Sequence, residues 1–227
     1  MSEPLDRPVW NALTTSQAHL AVASGAAVRI DPDYGPFAAA RDDGEEALAA
    51  LAATLRGPED RIGVVERQAW PVSPGTRILG GGELVQMVWD SPPPGEPDDS
   101  RIVRLTEGTA AQMAALAHAT EPGPWGGKTH LYGDYYGIRI GPKLAAMAGE
   151  RMRLPGRAEL SGVSTWPEFR GRGLAAALVR RVVRGFLERG DTPFLHCYAA
   201  NAGAIALYEK LGFRIRARLG FTILALA

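Results

Sequence analysis

Residues 162–175 read Gly162-Val163-Ser164-Thr165-Trp166-Pro167-Glu168-Phe169-Arg170-Gly171-Arg172-Gly173-Leu174-Ala175, and their order is strand, glycine-rich loop, helix. A strand is expected over 158–165. The helix is expected over 174–189, because Leu174, Leu178, Val182 and Phe186 recur every four residues with Arg180, Arg181, Arg184 and Glu188 between them. Gly171 and Gly173 let the backbone take conformations costly for other residues and approach a ligand closely. The first four N–H groups of a helix have no internal partner, and with the helix dipole they form an anion site. Arg170 and Arg172 add positive charge. The implied ligand is a phosphate or pyrophosphate; the plainer alternative is a turn with two solvated arginines.

Three phosphate-binding patterns compete for this loop. A Walker loop needs a Lys-Ser/Thr pair after its glycines, and none of Lys128, Lys143 and Lys210 is placed for it. The dinucleotide fingerprint is formally matched by Gly171, Gly173 and Ala176. It also needs an acid after the next strand, and the strand expected over 193–199 leads instead to Asn201. The third pattern is that of acyl-CoA acyltransferases. Arg170, Gly173 and Ala175 match its Arg/Gln-x-x-Gly-x-Gly/Ala motif, and Asn201, Ala204, Tyr208, Gly212 and Phe213 match a following Asn-x-x-Ala-x-x-x-Tyr-x-x-x-Gly-Phe helix. On these two motifs 158–213 resembles the GNAT superfamily of acetyltransferases, and the resemblance extends over about 101–227. The runs 133–139 and 146–151 further resemble glycine N-acyltransferase-like proteins, in which a degenerate GNAT-like half precedes the catalytic one.

The resemblance implies an α/β fold, with a mixed, mostly antiparallel twisted sheet flanked by helices behind a smaller α/β N-terminal half. It implies a β-bulge near 163–165 that splays this strand from 193–199. The pantetheine of acetyl-CoA would lie in that opening, against Val163, Ser164 and Thr165. The pyrophosphate would sit on the amides of Gly171, Arg172, Gly173, Leu174 and Ala175, beside Arg170. Asn201 would bond the pantetheine or cap its helix. Tyr208 would touch the co-substrate and protonate the departing thiolate, the alternative being a core tyrosine. Glu159 is the nearest candidate base, against a plain strand-edge charge. His196 or a water chain could serve instead. Trp125, Tyr132, Tyr135 and Tyr136 fall where the family's acceptor site lies. The implied activity is transfer of an acetyl or short acyl group from acyl-CoA to a primary amine by direct attack in a ternary complex, the acceptor being a small molecule or a peptide. The alternatives are a catalytically silent acyl-CoA-binding module and, third, a nicotinamide-dependent oxidoreductase.

The remaining sequence sets bounds. The chain has 227 residues, 46% hydrophobic and 22% charged, a globular composition. Its 25 basic and 25 acidic residues cancel, which argues against a nucleic-acid binder. No apolar run reaches membrane-span length, and 1–10 lacks the apolar core of a secretory signal. A single cysteine, Cys197, makes no internal disulfide, consistent with a cytoplasmic protein; on its apolar strand it reads as core. His19, His118, His130 and His196 are too scattered for a metal site. The proline-rich run 91–100 is expected to link an N-terminal α/β segment, 1–90, to a GNAT domain, 101–227. Within 1–90, a helix is expected over 45–56, strands over 61–66 and 83–90, and a flexible hairpin loop at Gly80-Gly81-Gly82. Further strands are expected over 101–105, 135–140, 143–150, 213–218 and 221–226, with a helix over 109–120. Arg214, Arg216 and Arg218 read as one solvated strand face. The oligomeric state is left open, a homodimer included.

Overall fold

A computed structural model describes residues 3–68, 70–95 and 100–227; positions 96–99 of the expected linker lie outside them. In chain order the elements are α1 (Pro8–Thr14), β1 (Ala21–Ser24), β2 (Ala27–Ile30), β3 (Ala38–Ala40), α2 (Glu45–Ala52), β4 (Ile62–Glu66), β5 (Thr76–Trp89), β6 (Ile102–Arg104), α3 (Ala110–Thr120), β7 (Tyr135–Ile140), β8 (Lys143–Leu154), β9 (Arg157–Thr165), α4 (Leu174–Glu188), β10 (Thr192–Tyr198), α5 (Ala202–Leu211) and β11 (Phe213–Leu226). β1–β3 form a small antiparallel sheet, and the other strands form one sheet in the order β4-β11-β5-β10-β9-β8-β7-β6. Every pairing in it is antiparallel except β9 with β10. The chain thus has the mixed, mostly antiparallel α/β fold expected from the sequence.

Helix periodicity decides what covers the sheet. Leu174, Leu178, Val179, Val182, Val183 and Phe186 of α4 are buried, and they pack with Leu160, Leu195 and Phe213 against one face. Each such side chain contributes about 1.5–3 kcal/mol when removed from water. The N-terminal segment covers the other face, where Leu5, Val9 and Leu13 pack with Phe37, Met152, Phe194 and Phe221. Strands from 1–90 and from 101–227 share the large sheet, since β5 is hydrogen-bonded to β10 on one side and β11 on the other.

Three expectations change. The glycine triplet is not a hairpin loop: Gly80, Gly81 and Gly82 lie inside β5, opposite Ile223, Thr222 and Phe221. Glycine is needed there for close approach, because Gly81 has φ +144° and a Cβ would fall 2.0 Å from the Phe221 carbonyl oxygen. The strands expected over 213–218 and 221–226 are one continuous β11. A register shift between Ile215 and Ala217 then breaks the alternation of its arginines. Arg214 pairs with Asp90, Arg218 with Glu83, and Arg216 turns inward to Gln86 and Asp6.

These two glycine environments differ in a measurable way. Gly81→Val should cost about 2–4 kcal/mol, combining strain with a backbone clash. Gly80→Ala, with nothing within 4 Å of its Cβ, should cost under about 1 kcal/mol. Denaturant melts of the two variants check this, and equal losses would contradict the pairing.

Candidate active site

β9 and β10 pair only through Thr192↔Arg157, Pro193↔Ala158 and Phe194↔Glu159, and then part. A bulge bends β9 away. Between the pairs Met147↔Ser164 and Gly149↔Ser161, β9 advances one residue more than β8. Gly162 takes φ +62° there, and a Cβ on it would lie 2.9 Å from the Tyr135 ring. The extra residue is thus at 162–163, just upstream of the expected position. The freed strand edges face a cleft of about 540 Å³ whose walls include Val163, Ser164, Thr165, Arg170, Ala175, Asn201 and Tyr208.

At the cleft mouth, Gly171 and Gly173 have φ +75° and +73°, with open space where side chains would stand. The first helical hydrogen bond of α4 is from Ala177 N–H to Gly173 O, 3.1 Å, so the amides from Leu174 to Ala176 precede the internal ladder. The Leu174 side chain is core; only its backbone can face a ligand. Arg170 donates through Nε to Thr165 O at 3.3 Å, and Arg172 through Nη2 to Glu168 O at 3.3 Å. Both guanidiniums are thereby held beside the helix end. Asn201 Oδ1 accepts from Ala204 N–H at 3.1 Å, capping α5. Tyr208 stacks edge-on against Phe213, and its hydroxyl has no protein partner among the described residues. Burial pushes the Tyr208 phenol above its ordinary value, with nearby Cys197 adding to it. The phenol therefore keeps its proton at neutral pH.

A buried polar chain lies where the strands part. Glu159 is fully buried. Arg151 donates to it twice, Nε to Oε2 at 2.9 Å and Nη2 to Oε1 at 2.6 Å. Met152 N–H donates to Oε2 at 3.2 Å. Consecutive residues can both face Glu159 because β8 carries its own extra residue between Glu150↔Leu160 and Arg153↔Ala158. His196 Nδ1 lies 2.7 Å from Glu159 Oε1, and its Nε2 lies 3.0 Å from Gln86 Nε2. Arg216 donates to Gln86 Oε1 at 2.7 Å. That fixes the amide with Nε2 toward His196, so the ring accepts at Nε2 and donates from Nδ1 to Glu159. Burial alone would raise the Glu159 carboxyl, but the charge and hydrogen bonds of Arg151, with His196, bring it down to about 2.

Comparison with known proteins fits this arrangement. A family model described as FR47-like protein matches residues 135–221. The [ribosomal protein bS18]-alanine N-acetyltransferase of Salmonella typhimurium is 35% identical over 120 residues, which are 49% of this chain and 78% of that protein. A Novosphingobium aromaticivorans protein, described with its crystal structure as a GNAT-family acetyltransferase, is 53% identical with a TM-score of 0.94 over all of both chains. A GCN5-related N-acetyltransferase from Kribbella flavida, 20% identical, shares the fold at a TM-score of 0.61 over 95% of each chain. The chain belongs to the GNAT family. It is an acyl-CoA-dependent N-acyltransferase, and the reading as a catalytically silent binding module falls away.

Not every expected GNAT site residue meets the cleft. Glu159 lies behind the wall, with its oxygens occupied and its carboxylate held too acidic to take a proton from an amine. Direct contact with an acceptor is therefore corrected to a supporting place. Both His196 ring nitrogens are likewise engaged. Trp125, Tyr132, Tyr135 and Tyr136 do not line this cleft; Trp125 packs on Tyr135 and Tyr34 on Tyr132. Arg151, Gln86 and Arg216 escaped sequence reasoning. The available signal was Glu159 itself, since a carboxylate on an otherwise apolar strand needs a buried cation.

The Glu159 carboxyl is held below its ordinary value of 4.5 in the folded chain. Its stabilising contribution is therefore complete above about pH 5 and is lost as pH falls from 4.5 toward 2. Glu159→Gln should lose about 3–5 kcal/mol at pH 7, by leaving Arg151 buried without its counter-charge. It should also flatten the acid limb of the stability profile. Urea melts from pH 3 to pH 7 on both proteins measure the two effects together.

Proposed function

We propose that this enzyme moves an acetyl or short acyl group from acyl-CoA to a primary amine by direct attack in a ternary complex, in the cytoplasm. The observation that carries it is the parting of β9 from β10 directly before the open N-terminal turn of α4. Two features of this chain fit the co-substrate. Ser164 Oγ and Thr165 Oγ1, on the β9 wall, are buried without a partner among the described residues, as suits groups awaiting the amides of a pantetheine arm. The first-turn amides of α4 suit a pyrophosphate.

Acyl-CoA supplies the thioester carbonyl that the amine attacks and the thiol that leaves. Val163, Ser164 and Thr165 offer strand-edge backbone groups to the pantetheine. Gly171, Arg172, Gly173, Leu174 and Ala175 offer backbone amides to the pyrophosphate, with Arg170 adding charge. Asn201 caps α5 and borders the pantetheine. Tyr208 holds a proton at its hydroxyl for the departing sulfur. Glu159 holds Arg151 and His196 in place, and the proton of the amine passes to water in the cleft. No acyl-enzyme is needed.

The bS18-alanine N-acetyltransferase relative is named for an alanine amine of a ribosomal protein, which supports testing α-amines of peptides beside small-molecule amines. The sequence of 133–139 and 146–151 supports a place among glycine N-acyltransferase-like proteins, with 1–90 a degenerate half. A homodimer is supported by the β5 edge over 76–82, which among the described residues pairs only with β11 and exposes Ile78 and Leu79. Among the described residues no helix is long and apolar enough to cross a membrane.

CoA should raise the melting temperature, because a ligand of the folded state alone stabilises it in proportion to RT ln(1 + [L]/Kd). Gly173→Asp should abolish that shift by setting a carboxylate against the pyrophosphate, and an NADH response would favour a dinucleotide site instead. Tyr208→Phe removes one oxygen and keeps the ring. With Tyr208 as the acid, kcat should fall by about 10²–10⁴ while the CoA shift is kept. Wild-type kcat in that variant would remove Tyr208 from the mechanism.

A further inference from the structure

A second, smaller pocket of about 50 Å³ opens on the sheet face opposite α4 and α5. Phe37, Val65, Leu84, Met152 and Phe221 form its apolar wall, and the Pro122–Gly123–Pro124 loop covers it. Arg151, His196, Cys197 and Tyr198 line both this pocket and the larger cleft. A molecule at the junction can therefore present one end to the parted strands and bury another in the apolar wall.

Arg151 sets the chemistry of that junction. Its Nε and Nη2 are committed to Glu159, while Nη1 has no protein partner among the described residues. Nη1 lies under the covering loop, 3.6 Å from where a Cβ on Gly123 would stand. The guanidinium rests on the Phe37 ring, 4.8 Å from Cζ to the centroid, and its residue is only 9% exposed. A buried guanidinium with both Nη1 N–H bonds unspent seeks an oxygen acceptor, best of all a carboxylate. No carboxylate lines this pocket, so an ammonium group finds no counter-charge in it.

Resting on the acyl-transfer reading above, we propose that the acceptor is an α-amino acyl group whose carboxyl or carbonyl oxygen is bound by Arg151 Nη1 and whose short apolar side chain fills the pocket behind it. The amine, one carbon from both, then reaches the parting of β9 and β10. A free amino acid and a peptide N-terminus share this chemistry. Polyamines and lysine side chains lack it.

Thiol release from acetyl-CoA tests the assignment on the intact protein, with L-valine, L-valinamide, valyl-glycine, isobutylamine, L-tryptophan and Nα-acetyl-lysine as acceptors. At least one of the three valine compounds should exceed isobutylamine, which lacks only the carboxyl, by 30-fold or more in kcat/KM. The ranking of valine against valyl-glycine separates the free acid from the peptide source. Tryptophan should be poor, because the pocket is small. In Arg151→Lys, which keeps the charge beside Glu159 but loses the planar fork, the preference over isobutylamine should collapse through KM, with the CoA melting shift kept. A purely structural Arg151 would lower all acceptors equally. Isobutylamine or Nα-acetyl-lysine matching the best valine compound would overturn this proposal and leave the acyl-transfer reading intact. CoA binding without turnover of any amine would overturn both.

Discussion

A single carboxylate with no access to water fixes the geometry of this molecule. Glu159 must be ionised to satisfy Arg151 and must be hydrogen-bonded on both oxygens to be tolerated at all. Those demands draw in β8 through Arg151 and Met152, and β10 through His196. Gln86 on β5 and Arg216 on β11 extend the chain of contacts, which reaches Asp6 near the N-terminus. One polar thread therefore crosses five adjacent strands at the level where β9 and β10 cease to pair. Such a network adds little stability over an apolar core of equal volume, but breaking it at one point strands a charge. It specifies register, and register specifies where the cleft begins.

The same thread explains why the N-terminal segment belongs to the site. Leu5 O accepts from the Gln86 amide at 2.8 Å, and Phe37, Val65 and Leu84 wall the smaller pocket. These residues precede 91–100, whereas the glycine-rich loop at 170–175 and Tyr208 follow it. The smaller pocket thus draws its wall from both stretches of the chain, which are folded into one sheet.

What the sequence disclosed was local. The loop at 170–175, the stripe of α4, the Asn201 cap and the left-handed Gly212 that ends α5 each follow from contacts within a few residues, where spacing carries the information. What it concealed was set by distant partners. Glycine usually marks a turn, but Gly81 answers to the Phe221 carbonyl across a strand pair. Alternation put three arginines on one face, and a bulge that no local pattern announces turned Arg216 inward. Glu159 was visible as a residue and invisible as a member of a network, because Arg151 comes from the neighbouring strand and His196 from 37 positions away. The small strands β1–β3, with alanine-rich sequences and short lengths, carry too little periodicity to register.

Cys197 stands where the two pockets meet, half-buried, and burial pushes its thiol up to about 11. At pH 7 only about one such group in ten thousand is a thiolate, and thiolates alone carry out disulfide exchange or react readily with oxidants. A transferase that liberates a free thiol at every turnover, beside a cysteine of its own, is exposed to a mixed disulfide when an oxidant or an already oxidised thiol is present. The burial of that sulfur disfavours its thiolate while keeping a small, polarisable side chain at the junction.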